Sequence, residues 1–283
     1  MQQLVIIGQG PAGISAAIYA VRSGTPVTVV AKDLGAMQKA DVIENYYGFP
    51  EAISATELLN NGIMQAKNLG VNFINAEVYG IEYAADGFII KSNVEDISAT
   101  AVIIACGMAR NVPKIQNIEK FEGKGVSYCA ICDAFFYRNK KVAVVGSGQY
   151  TLHEYQVLKN VIQDVTILTN GESPSFTEAH NPLKIKSFEG DETIKSVVFE
   201  DGTSEEFDGI FIASGSVGPF ELSKKVGLQL EKNKIVVDSK MQTNVPAIYA
   251  CGDCVAGLMQ AAKAVYEGMV AGIEASRYIK SKK

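Results

Sequence analysis

Leu4-Val5-Ile6-Ile7-Gly8-Gln9-Gly10-Pro11-Ala12-Gly13 opens the chain and decides its fold. Four consecutive apolar residues have the length of a buried strand. The glycine-rich turn leads into a helical stretch with small residues at Ala16, Ala17 and Ala20, and the apolar run Val27-Thr28-Val29-Val30 follows. Strand, glycine-rich turn, helix and strand in this order form a dinucleotide-binding unit. Gly8 permits the tight turn, Gly10 lets the backbone approach a pyrophosphate, and Gly13 lets helix and strand pack closely. The helix N-terminus then offers free N–H groups and a positive dipole end to the phosphates.

A second copy starts at Lys140. Lys141-Val142-Ala143-Val144-Val145 runs into Gly146-Ser147-Gly148-Gln149-Tyr150-Thr151, and the next strand is expected at Asp164 to Leu168. Between them lies an amphipathic helix, with Leu152, Val157, Leu158, Val161 and Ile162 expected on its apolar face. Two such units predict an α/β fold with two dinucleotide-binding, Rossmann-like domains, the plan of a two-nucleotide flavoprotein. Gly87 to Ser92 and Ala101 to Gly107 read as further strands, Gly209 to Gly215 echoes that apolar run ending in glycine, Asp201-Gly202 is a hairpin signal, and Ile248 to Asp253 is the closing apolar segment. An Ala-rich helix is expected from about Gln260. Domain changeovers are expected near Pro113 and between Thr243 and Pro246.

The 283 residues are 47% hydrophobic and 20% charged, with 26 glycines and 8 prolines, which excludes disordered and collagen-like classes. Twenty-six basic against 31 acidic residues give a net charge of −5 and argue against a general nucleic-acid binder. No apolar run reaches the ~20 residues of a membrane helix. The strand at Leu4 leaves no room for a signal peptide, so a cytoplasmic address is expected. Two histidines, His153 and His180, are too few for a His-rich metal site or a His-triad hydrolase. The five cysteines, at 106, 129, 132, 251 and 254, are odd in number and so not a secreted disulfide scaffold, and their close spacing in a reducing compartment points to redox or metal chemistry.

Tyr128-Cys129-Ala130-Ile131-Cys132-Asp133 is the sharpest motif. Two cysteines separated by two residues can close a small disulfide, with one thiolate lowered in pKa by its surroundings. Asp133 stands where it could move a proton during thiol exchange. The competing reading is one half of a zinc site, with Cys251-Gly252-Asp253-Cys254 as the other half. Each pair fits a flavoprotein segment better, which leaves no metal site expected.

The stretch Tyr128 to Tyr137, Y-C-A-I-C-D-A-F-F-Y, resembles the active-site segment of low-molecular-weight thioredoxin reductases. The resemblance covers nearly the whole chain and includes Gly8 to Gly13, Ile43-Glu44-Asn45, Ala105-Cys106-Gly107 and Thr243 through Asp253. It implies an FAD-binding domain made from residues 1–112 and 244–283. Residues 113–243 would form an inserted redox domain that carries the cysteines on a degenerate pyridine-nucleotide-type fold. By the same resemblance Cys132 faces the flavin, Cys129 attacks the partner disulfide, and Asp133 is the acid/base. FAD contacts carry over to Gly8, Gly10, Pro11, Ala12, Gly13, Gln38, Asn45, Gly107, Gly252, Asp253, Gln260 and Ala261. Thioredoxin would be the partner, and a homodimer the assembly.

This sequence departs from that family's pattern at several points. Ala31 occupies the position of the acidic ribose-binding residue, which leaves Asp33 as the nearby carboxylate, and Met259 replaces an arginine beside Gln260. Cys251 and Cys254 read as packing residues around Asp253, and Cys106 as core. The family's NADPH site carries a His-Arg-Arg run and a further arginine that grip the 2′-phosphate. Here no lysine or arginine occurs from Thr169 to Leu183, where Glu172 and Glu178 stand instead. The segment from Leu168 to Asp201 looks shortened. Tyr150 and Thr151 replace small residues and are expected to put bulk against a pyrophosphate.

NADPH binding is therefore disfavoured, while NADH stays open because Glu172 lies near a ribose-binding position. The resemblance then points to the branch of the family that takes electrons from ferredoxin. Arg110, Lys114, Lys120, Lys124, Arg138, Lys140 and Lys141 outnumber Glu119, Glu122 and Asp133 in their stretch, which suits an acidic carrier. The alternatives are an NAD(P)H-dependent thioredoxin reductase, an FAD-dependent dithiol oxidase that uses oxygen, and a non-catalytic redox sensor.

Overall fold

The computed structural model describes residues 3–108, 113–128, 130–214 and 218–282, with the side chains of Lys39, Ile131, Cys132, Pro219 and Phe220 left out. In chain order the main elements begin with β1 (Leu4–Ile7), α1 (Pro11–Arg22), β2 (Val27–Ala31), α2 (Ala55–Asn68), β3 (Asn72–Asn75) and β4 (Ala101–Ile104). Next come β5 (Val126–Ser127), α3 (Ala130–Asp133), β6 (Lys141–Val145), α4 (Gln149–Lys159), β7 (Asp164–Leu168), β8 (His180–Asn181) and β9 (Gly209–Ile212). The chain closes with α5 (Pro219–Lys225), β10 (Ile248–Ala250) and α6 (Ala261–Ser281).

Two compact units result, one from Met1–Ala109 with Gly218–Lys283 and the other from Arg110–Val217. The first holds a parallel sheet of order β10-β4-β1-β2-β3. The second holds a parallel sheet of order β5-β9-β6-β7-β8. The two sheets repeat one plan. Each central strand, β1 or β6, pairs on one side with the strand after its helix and on the other with a later strand. Just before that later strand each unit inserts an antiparallel three-stranded sheet, Val78–Ala84, Gly87–Ser92 and Ile97–Ala99 in one, Ile185–Gly190, Ile194–Phe199 and Ser204–Glu206 in the other.

The strands are uninterrupted apolar runs because a parallel sheet is covered on both faces. Leu4, Val5 and Ile6 are fully buried, as are Val142 through Val145. In the first unit, α1 and α6 cross closely, since a Cβ added at Gly268 or Gly272 would lie 2.1 or 2.3 Å from the carbonyl oxygens of Ala12 and Ala16. In the second, Phe121, Phe188, Phe199 and Phe207 pack with Val126, Ile185 and Ile210 into one core.

The changeover expected at Thr243 falls instead between Val217 and Gly218. Residues 218–243 belong to the first unit, held there by contacts distant in sequence. Lys225 Nζ donates to the Tyr79 carbonyl at 2.8 Å, and Tyr83 OH donates to that of Val226 at 2.8 Å. The apolar face expected for α4 is also displaced. Leu152 and Val157 are only half-buried, while Tyr150, Thr151, Glu154 and Leu158 are the buried residues. Among the described residues no helix is long and apolar enough to cross a membrane.

Candidate active site

Gly8 turns with φ +110°, and a Cβ there would sit 2.4 Å from the Ala105 carbonyl oxygen at the end of β4. Gly13 is held as tightly, its missing Cβ falling 1.9 Å from the Gly8 oxygen. Gly10 differs, for a Cβ added there meets no protein atom within 4 Å. The turn thus grips its own fold at Gly8 and Gly13 and stays open at Gly10, where a pyrophosphate would approach. Helix geometry leaves the amides of Ala12 and Gly13 without intrahelical partners, and Pro11 at the first position has no N–H to waste.

Of the other predicted contacts, Asp33 and Gly252 border this turn, while Asn45 and Gln260 meet each other. Gln9 Nε2 donates to the Asp33 carbonyl at 3.0 Å, and Asp33 Oδ1 accepts from Gly35 N at 2.7 Å. Gly252, with φ +83°, packs on Ala12 and sets half-buried Asp253 beyond the end of β10. Asn45 Nδ2 donates to Gln260 Oε1 at 3.1 Å, joining the loop after β2 to the start of α6 beside Ala261. Gly107, with φ +70°, follows β4, and Gln38 is exposed on the turn Ala36–Lys39.

Sequence reasoning missed the pair that holds Gly252. Glu267 Oε2 accepts from Gly252 N at 2.9 Å, Lys263 Nζ donates to Gly252 O at 2.9 Å, and the two side chains pair at 3.0 Å. The signal was present as Lys and Glu at i, i+4 in an otherwise small-residue helix. Cys251 and Cys254 are fully buried, and Cys254 Sγ donates to the carbonyls of Ile104 and Cys251 at 3.3 and 3.2 Å. Burial pushes the Cys254 thiol up to about 12 and the Cys251 thiol well above its ordinary value, which suits packing rather than exchange. Cys106 is half-buried at the end of the same strand region, not core as expected.

In the second unit Cys129 lies outside the described residues, and Cys132 is described only as backbone within α3. Asp133 closes α3, half-buried, and accepts from Ser127 Oγ at 2.6 Å. Tyr128 OH donates to Glu122 Oε1 at 2.5 Å. From α4, Glu154 Oε2 accepts the Ala130 amide at 2.8 Å, and Tyr150 OH donates to the Tyr128 carbonyl at 3.4 Å. Just beyond α3, Phe135 and Phe136 are 68% and 71% exposed. Arg138 stacks over Phe135 at 4.8 Å, so an apolar surface with a basic edge adjoins the cysteine segment.

The second glycine-rich turn is covered by its own chain. Ser147 Oγ donates to Glu172 Oε2 at 2.5 Å, and Ser175 N donates to Ser147 O at 2.9 Å. Gln149 Nε2 reaches Ser175 O at 2.8 Å. Of the two residues expected to bring bulk here, Thr151 lies against the turn, its Oγ accepting the Gly148 amide at 3.2 Å, while Tyr150 reaches away to the Tyr128 carbonyl. Both side chains are buried, and Thr151 Oγ donates inward to the Ala213 carbonyl at 2.8 Å.

The family model for pyridine nucleotide-disulphide oxidoreductases matches residues 2–268. The solved structure of the atypical thioredoxin reductase TRi from Desulfovibrio vulgaris Hildenborough is 37% identical, with a TM-score of 0.93 over 100% of this chain and 99% of that one. A ferredoxin-flavin thioredoxin reductase from Clostridium acetobutylicum is 30% identical, with a TM-score of 0.70 over 99% and 98%. Thioredoxin reductase of Aquifex aeolicus is 30% identical over 99% of this chain and 94% of its own length. FAD is the cofactor, and the open cradle at Gly10, faced by the free amides of Ala12 and Gly13 on α1, fits its pyrophosphate. With its repeated sheets, glycine-rich turns and matching model, this chain belongs to the pyridine nucleotide-disulphide oxidoreductase family.

Proposed function

We propose that the protein is an FAD-dependent thioredoxin reductase that takes its electrons from reduced ferredoxin rather than from NADPH. The carrying observation is the closed second turn. Glu172 puts a carboxylate 2.5 Å from Ser147 Oγ, where a second dinucleotide would place its pyrophosphate, and Ser175 occupies the Ser147 carbonyl. A diphosphate would have to displace both and would meet like charge, with no arginine or lysine between Thr169 and Leu183 to offset it. The same feature counts against NADH, whose diphosphate is identical. Exposed Lys114, Lys124, Arg138 and Lys140 on the second unit suit an acidic electron carrier.

When bound, FAD supplies the electron pair that opens the Cys129–Cys132 disulfide. The Cys129 thiolate attacks one sulfur of the thioredoxin disulfide, whose other sulfur leaves as a thiolate. Cys132 then attacks the Cys129 sulfur of the mixed disulfide and frees the second thioredoxin thiol. Two electrons and two protons pass to thioredoxin, and Asp133, held by Ser127, serves the proton transfer. Phe135 and Phe136 offer the apolar surface on which the partner docks. The assembly in this reading is a homodimer, and the apolar groove lined by Ile18, Tyr19, Leu58 and Leu69 on the first unit offers one face for it.

The test is anaerobic flavin absorbance on adding NADPH, NADH or reduced ferredoxin separately, each followed by oxidised thioredoxin. Bleaching by ferredoxin alone, with recovery on thioredoxin, is expected. Fast bleaching by either pyridine nucleotide overturns the donor assignment. Cys129→Ser should keep the bleaching and lose thioredoxin turnover, and full turnover by that variant would refute the role of Cys129.

A further inference from the structure

Tyr150, Glu154 and Leu158 follow one another at four-residue spacing and share the buried face of α4. In a nucleotide-binding unit this helix serves the phosphates through its first turn. Here the buried face is turned to another task. Tyr150 OH donates to the carbonyl of Tyr128, and Glu154 Oε2 accepts the amide of Ala130, so the residues on either side of Cys129 are both held from α4. Glu154 is 2% exposed. A carboxylate at such depth is costly unless it accepts strong hydrogen bonds, and the Ala130 amide supplies one. His153 Nε2 lies 4.0 Å from its other oxygen.

We propose that Glu154 is the positioning residue of the cysteine segment, fixing its backbone and holding its carboxylate at the amide that directly follows Cys129, so that the Cys129–Cys132 pair is a stronger reductant. This rests on the reading of that pair as the one that reduces thioredoxin. Stabilised thiolates favour the dithiol form and make a pair oxidising, whereas a neighbouring carboxylate acts in the opposite sense. Glu154 therefore biases electrons outward, towards the partner disulfide. Among the described residues, the titratable groups facing the segment include His153 and Tyr150 on α4, Asp133 on α3 with Tyr137 beside it, and Tyr128 with its partner Glu122.

The experiment uses the full-length, FAD-loaded protein reduced under anaerobic conditions, comparing wild type with Glu154→Gln and Glu154→Ala. Iodoacetamide alkylation at Cys129 is followed by mass against pH, and the pair is equilibrated with thioredoxin. Glu154→Gln keeps the shape and an acceptor for the Ala130 amide but removes the charge. It should shift half-reactivity down by about one pH unit. The thioredoxin equilibrium should move about tenfold towards the dithiol form, or about 30 mV for a two-electron couple. Glu154→Ala should show the same shift with a lowered melting temperature, and if it does not fold the Gln variant carries the test alone. An unchanged profile in Glu154→Gln, with the disulfide still forming, overturns this inference and leaves the proposed function standing. Failure of the wild-type pair to lose two hydrogens on oxidation overturns both.

Discussion

At Gly8 and at Gly146 the backbone turns with φ +110° and +150°, and in each case an added Cβ would lie 2.4 Å from the carbonyl oxygen of an alanine, Ala105 or Ala213. Around each turn the same four-strand order is built, β4-β1-β2-β3 and β9-β6-β7-β8, with β10 or β5 added at the edge. Five residues after the first glycine the copies part. Gly13 lets α1 ride against the Gly8 oxygen, whereas Thr151 fills that place and bonds to Ala213 and to the Gly148 amide. Gly10 and its counterpart Gly148 both face open space. The difference lies beside them, where Ser147 is tied to the Glu172 carboxylate and to Ser175 while Gln9 reaches only the Asp33 carbonyl. Backbone alone thus makes a turn that can hold a dinucleotide, and the segment crossing above it decides whether one is held.

The sharpest way to break this comparison is to make one change in both turns. Gly10 and Gly148 have φ −71° and −96°, which any residue adopts, and neither would clash with protein if enlarged. Gly10→Leu should weaken FAD binding about 100-fold or more, seen as loss of flavin absorbance on gel filtration, because phosphate contacts worth about 1.4 kcal/mol per tenfold are lost. Gly148→Leu should leave ferredoxin-driven turnover within about twofold. Equal losses would show that the second turn also holds a dinucleotide.

A smaller effect is expected where α6 backs the first turn. Gly268→Ala forces a Cβ against the Ala12 oxygen and should cost about 1–3 kcal/mol, lowering the melting temperature by about 2–4 °C per kcal/mol. Alkali should separate the units next. Cys254, bonded to Ile104 at the end of β4, has its thiol raised from 9.0 to about 12 by burial. The folded state keeps this proton more tightly than the unfolded chain, so its stabilisation is complete below pH 9 and declines as pH rises through 12. Hydrogen exchange should show first-unit amides losing protection above pH 9, and Cys254→Ala should flatten that decline. The smallest change belongs to Glu172→Gln, which should speed flavin bleaching by NADPH by less than about tenfold, since an exposed charge contributes about 1 kcal/mol or less.

The strands of both sheets were legible because parallel strands are unbroken apolar runs, and Leu4–Ile7 and Lys141–Val145 have little else they can become. The first turn was legible because its glycines are required by close approach. The face of α4 was not. Periodicity assigns Glu154 outward and Leu152 inward, yet the amide that stabilises buried Glu154 lies on α3, and no window along α4 contains it. The same reason moved residues 218–243 to the first unit, since the anchors of α5 are Tyr79 and Tyr83 on a distant sheet. Tyr150 and Thr151 were recognised as too large for a nucleotide turn, but their direction, inward, depends on Tyr128 and Ala213.

The discontinuity of the first unit sets an order of events during synthesis. Its sheet takes the edge strand Ile248–Ala250 from well beyond the second unit, and α1 packs closely on α6, which is made later still. The second unit draws its strands and core from residues 110–217 alone. On the ribosome the cysteine-bearing unit can therefore fold while β1, β2 and β4 still wait for their missing strand and helix. The flavin cradle is finished only after α6 has emerged, so a nascent chain carries its cysteine segment before it can carry the cofactor.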